Sequence, residues 1–173
     1  MVKVAPYGSW KSPISSDLIV AGSIGVGQIA LDGDDVYWIE LRPSEGGRSV
    51  IVRRSSDGAT SDINPAPFNA RTRVHEYGGG EYFVADATTY FSNFDDQRLY
   101  MQSGASLPEP LTPAIDMRYA DPIMDRKRGR LIAVREDHTG PGEAVNTLAA
   151  IDLKDGSKQR VLASGNDFYS SPR

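Results

Sequence analysis

The chain contains no cysteine, so it can form neither a disulfide framework nor a thiolate metal site. It also lacks an excess of positive charge: Asp+Glu number 23 against Lys+Arg 19, a formal net charge of -4. Nucleic acid and anionic membranes both demand a basic surface, so neither is expected as a partner. No apolar run approaches the roughly 20 residues of a membrane-spanning helix. The longest, Leu18 to Leu31, is broken by Gly22, Gly25 and Gly27. Met1 to Trp10 lack the charged-then-apolar layout of a secretory signal. These absences point to a cytoplasmic protein that uses no metal and no cofactor.

What is present is turn chemistry. The 173 residues suffice for one domain with a sizeable core, and their 17 glycines and 11 prolines are spread along the chain instead of pooled in a linker. Dispersed turn residues between short apolar runs are what many short strands require. Asp35-Val36-Tyr37-Trp38-Ile39-Glu40-Leu41-Arg42 is rich in β-branched and aromatic residues, and Asp32-Gly33-Asp34 before it reads as a hairpin turn. Gly27 to Leu31 in front, Ser49 to Arg54 behind and a short polar run from Thr60 to Ile63 complete four strands.

The same order recurs twice. Glu81 to Val84, Thr88 to Ser92, Arg98 to Met101 and Pro110 to Thr112 form a second set. Tyr119 to Met124, Arg130 to Val134, Thr147 to Ile151 and Gln159 to Leu162 form a third. Starts near Gln28, Tyr82 and Tyr119 repeat at roughly 40 to 55 residues, the spacing of propeller blades. No segment carries a sustained helical stripe. The expected fold is all-β, a partial β-propeller of about three four-stranded antiparallel blades over residues 26–64, 80–112 and 117–164. A β-sandwich of similar strand count is the competing architecture. Residues 167–173 read as the approach to a further blade, so the ring is expected to be open.

Several motifs are present but incomplete. Gly25-Val26-Gly27-Gln28-Ile29-Ala30 matches a dinucleotide fingerprint, yet it runs into a turn where a helix must begin. Ser23 sits in an A-x-S-x-G string without the helix of a nucleophile elbow, and the only histidines are His75 and His138. The run Asp125 to Arg130 and the pairs Asp34-Asp35 and Asp95-Asp96 read as turns, not as nucleic-acid or calcium sites. The most unusual stretch is Arg71-Thr72-Arg73-Val74-His75-Glu76-Tyr77-Gly78-Gly79-Gly80. His75-Glu76 would open a zinc motif only if a histidine stood at Gly79. The three glycines would serve an oxyanion hole only beside a nucleophile. An architectural turn into an inner strand fits better, with Arg73, His75, Glu76 and Tyr77 as candidates for substrate or domain contact.

The strings Tyr7 to Ile14, Tyr37 to Pro43, Arg73-Val74-His75-Glu76-Tyr77-Gly78-Gly79-Gly80, Tyr90 to Asn93, Asp96 to Tyr100, Arg135-Glu136-Asp137-His138 and Asp167 to Arg173 resemble the N-terminal region of prolyl oligopeptidase family serine peptidases. The bacterial dipeptidyl aminopeptidase/acylaminoacyl peptidase type is the most similar branch. The resemblance implies a propeller that caps a C-terminal α/β-hydrolase domain of the same polypeptide, where a Ser-Asp-His triad cleaves short peptides. It carries no triad residue onto this chain. Aminopeptidase members clamp the substrate amine with paired propeller acids; no Glu-Glu pair stands here, which leaves Glu76 as the candidate acid.

Two functions follow from different classes. One is the substrate-gating propeller of a serine peptidase, inactive by itself. The other is a non-enzymatic propeller scaffold for protein or peptide binding. Either way, open blade faces and unpaired edges are expected to favour self-association.

Overall fold

Alternation of β-branched or aromatic residues with polar ones builds the long strands, and glycine or aspartate turns end them. The computed structural model describes residues 4–9 and 11–173; Trp10, in the first of the family-like strings, lies outside the described residues. Among the described residues a five-residue helix, α1 (Ser16–Val20), precedes twelve strands. The first sheet comprises β1 (Gly25–Asp32), β2 (Asp35–Arg42), β3 (Arg48–Arg54) and β4 (Thr60–Asp62). The second comprises β5 (Tyr82–Ala85), β6 (Thr88–Ser92), β7 (Leu99–Ser103) and β8 (Glu109–Pro110). The third comprises β9 (Met117–Asp125), β10 (Arg130–Asp137), β11 (Val145–Asp152) and β12 (Gln159–Ser164).

Each sheet is a separate antiparallel meander with its strands in sequential order. The fold is all-β, a partial propeller of three blades. A sandwich would have merged these strands into two facing sheets. The short outer strands end sooner than their sequence suggests. At β8 the reason is local: Leu111 N and Thr112 N both turn to Leu99 O, while Thr112 Oγ1 accepts from Leu99 N at 3.0 Å. A side chain there replaces the ladder.

Period-two patterning directs one face of each sheet at its neighbour. Tyr37, Ile39 and Ile51 of the first sheet pack against Tyr82, Val84, Phe91 and Tyr100 of the second. On its other side the second sheet offers Tyr90 and Leu99 to Tyr119, Leu131, Ala133 and Ile151 of the third. Each fully buried side chain of this size contributes about 1.5–3 kcal/mol. The face of β1 turned away from the second sheet has no such cover: Val26, Ile29 and Leu31 are exposed.

The β1–β2, β5–β6 and β9–β10 turns meet at one rim. There the Asp32 carboxylate accepts from Asp86 N at 3.2 Å and Ala87 N at 2.7 Å, and Arg126 pairs with Asp86. Alternate turns of a meander lie at opposite ends. The β2–β3, β6–β7 and β10–β11 hairpins therefore emerge at the other rim, together with the connection from β4 to β5.

Candidate functional site

Residues 63–81 cross from the outer strand of the first sheet to the inner strand of the second, and their backbone is secured step by step. Buried Asn64 accepts from Ile51 N at 2.7 Å and donates to Ser49 O and Phe68 O. Ala70 bridges Asn93, Arg71 N donates to Ser92 O at 2.9 Å, and Arg73 N donates to Gln97 Oε1 at 2.7 Å. The chain then turns through three left-handed residues, His75 (φ 57), Glu76 (φ 66) and Gly78 (φ 93). For His75 and Glu76 that conformation costs on the order of 1 kcal/mol each, so surrounding contacts must hold it.

Glu136 of β10 supplies those contacts. It is 4% exposed, and both histidines of the chain converge on it. Its Oε1 accepts from His75 N at 2.6 Å and lies 3.2 Å from His75 Nδ1, while Oε2 lies 3.1 Å from His138 Nε2. His75 Nε2 stands 3.0 Å from Tyr169 O, which requires a proton on that nitrogen, and Phe168 packs edge-on against the ring at 4.9 Å. Arg118 of β9 donates to Glu76 Oε1 at 2.6 Å and to Arg73 O at 3.0 Å. That guanidinium holds the exposed Glu76 carboxyl below its ordinary pKa. The cluster borders a cavity of about 490 Å³ that also takes in Glu143, Asn146 and Asp167.

The structure thus joins the side chains of His75 and Glu76 in one network, which Arg73 meets only through its carbonyl and Tyr77 only along the wall of the cavity. Tyr77 projects into solvent, 83% exposed, with no side-chain hydrogen bond among the described residues. Arg73 turns away and stacks on Phe94. Neither histidine hydrogen-bonds a serine hydroxyl among the described residues. Ser23 instead donates to Ile19 O, and the glycine string beside it is strand β1. No group of three or more His, Asp or Glu side chains is placed to hold a metal among the described residues.

The three glycines serve geometry. Gly78 has positive φ, a Cβ on Gly79 would stand 2.9 Å from Ala120 Cβ, and a Cβ on Gly80 would overlap the Asp121 carboxylate. The next residue, Glu81, is half-buried, and desolvation pushes its carboxyl up to about 7 against the opposing pull of Arg71. Sequence reasoning did not single out Glu136, His138 or Arg118 as site residues. One signal was available: Glu136 near the end of β10 and His138 just past it are two apart, the spacing that puts side chains of an extended chain on one side.

No protein-family model and no curated protein matches the chain. Solved structures do. A puromycin-hydrolyzing peptidase of Mycobacterium tuberculosis is 35% identical, with a TM-score of 0.83 over 98% of this chain. A puromycin hydrolase is 37% identical over 94%, and a serine-to-alanine mutant of puromycin hydrolase complexed with PGG is 38% identical over 94%, both with a TM-score of 0.79. The chain spans 28–29% of the length of these proteins.

Proposed function

We propose that this chain, which belongs to the propeller region of the prolyl oligopeptidase family of peptidases, is the substrate-gating portion of a serine peptidase and is inactive by itself. The observation that carries the reading is the coincidence of three successive four-stranded blades with 35–38% identity to puromycin-hydrolysing enzymes over almost the whole chain. In this reading an α/β-hydrolase domain of the same polypeptide holds the triad, and the propeller admits short peptides while excluding folded proteins. Substrates of the dipeptidyl aminopeptidase or acylaminoacyl peptidase class fit it, as does cytoplasmic residence for a chain without cysteine.

The loop bearing Arg73, His75, Glu76 and Tyr77 is the proposed face toward substrate or the hydrolase domain. Exposed Tyr77 and Phe168 supply its apolar contact, and the Glu136 network supplies its rigidity. The uncovered apolar residues of β1 support self-association of the isolated chain.

The test is hydrolysis. The isolated chain should turn over no peptide, ester or aminoacyl substrate and take up no serine-directed phosphonate. Activity that titrates with the phosphonate would overturn the reading.

A further inference from the structure

Arg71 and Arg73 stand apart from most of the arginines around them. Arg42, Arg53 and Arg118 each pair with a carboxylate at 2.6 Å. Neither Arg71 nor Arg73 makes an ion pair or a side-chain hydrogen bond among the described residues, and both are exposed. Yet neither is loose. Their guanidinium carbons lie 5.1 and 4.5 Å from the centroid of one ring, Phe94. The backbone beneath is tied on both sides: Arg71 N donates to Ser92 O at 2.9 Å and Phe94 N to Asn69 O at 2.8 Å. Gln97 Oε1 holds Arg73 N at 2.7 Å.

We infer that Arg71 and Arg73, seated on Phe94, form a carboxylate-binding subsite that receives the C-terminal carboxylate of a short peptide. A guanidinium stacked on an aromatic face keeps its N–H edge free, and that planar fork matches a carboxylate. Because the ring and the tied backbone already position both cations, little side-chain entropy remains to be lost on binding. Burial raises the Glu81 carboxyl to about 7 against the opposing pull of Arg71, so that cation has no fully ionised competitor there at neutrality. The pair lies on the rim that carries the β4–β5 connection and the β6–β7 hairpin, beside the loop proposed above to face substrate. The choice of a peptide terminus rests on that gating reading; the binding itself does not.

The experiment is an NMR titration of this chain with trialanine, trialanine amide and N-acetyl-aspartate amide, following the Phe94 ring and the arginine side-chain resonances. Trialanine should bind at least tenfold more tightly than its amide and weaken with added salt. The double variant Arg71→Gln/Arg73→Gln, unchanged in circular dichroism because both side chains are exposed, should lose that preference. Equal binding of acid and amide, or full binding by the variant, would sink the subsite. N-acetyl-aspartate amide binding as tightly as trialanine would overturn the peptide terminus as occupant, in favour of an acidic side chain. Failure of any kind leaves the hydrolysis test untouched, so the two readings fall separately.

Discussion

The inner strands of the first and third sheets do the same mechanical work with different chemistry. β1 and β9 each carry a bulge, between Gly27 and Ala30 and opposite Ile132 to Val134, and each bulge holds a left-handed non-glycine residue, Gln28 (φ 43) or Asp121 (φ 51). Both side chains reach the start of the second sheet. The Gln28 amide accepts from Glu81 N at 2.8 Å and donates to Tyr82 O at 2.6 Å. The Asp121 carboxylate accepts from Gly80 N at 2.6 Å and from Ser171 N at 2.9 Å. An amide both donates and accepts, so it satisfies a strand presenting both kinds of group. A carboxylate only accepts, so it gathers two N–H groups from two segments. Gln28 therefore joins two neighbours, whereas Asp121 joins three parts of the chain.

The comparison can be broken most severely at the glycine that lets Asp121 approach. Gly80→Ala places a methyl group into the Asp121 carboxylate and within 3.3 Å of its Cα, where backbone cannot yield. We expect a loss of about 3–5 kcal/mol, from overpacking plus a severed charge-assisted bond, visible as a collapsed urea midpoint. Asp121→Ala should cost about 2–4 kcal/mol and release the backbone near Ser171 to fast hydrogen exchange. Gln28→Ala should cost about 1–3 kcal/mol with no effect at Ser171. Equal exchange at Ser171 in both variants would show that the two bulges are not chemically distinct.

Glu81, whose N–H the Gln28 side chain holds, sharpens the contrast through pH. Below its ordinary value of 4.5 the carboxyl is protonated whether the chain is folded or not, and its burial is tolerated. As pH rises through about 7 the folded chain must ionise it in a desolvated place, so stability present in acid is lost. Glu81→Gln should match the parent at pH 4 and exceed it by about 1–3 kcal/mol at pH 8. A constant difference across that range would refute the assignment. The smallest effect belongs to Glu76→Gln. Its carboxyl is exposed, and surface pairs such as that with Arg118 add little, so the thermal midpoint should stay where it was.

The residue identities explain which of these features could be read beforehand. Tyr37, Ile39, Ile51, Tyr82 and Phe91 announce strands by alternation, and turns such as Asp32-Gly33-Asp34 mark where they end. The glycine run at 78–80 was legible as a close approach, though not what it approached. Gln28 and Asp121 share no residue type, so a repeat search has nothing to align; only backbone geometry makes them equivalent. The Glu136 network was hidden for a different reason. Its members, His75, Arg118, Glu136, His138 and Tyr169, come from four stretches of chain that meet only when the third sheet docks beside the β4–β5 connection.

By itself the sequence determined the class of fold and the count of strands, because strand and turn propensities act over a few neighbouring residues. Only the tertiary structure decided that both histidines share one buried glutamate, that Arg71 and Arg73 sit on one phenylalanine and that Glu81 resists ionisation. Those outcomes depend on desolvation and on distances between residues remote in the chain, and neither quantity exists until the blades pack.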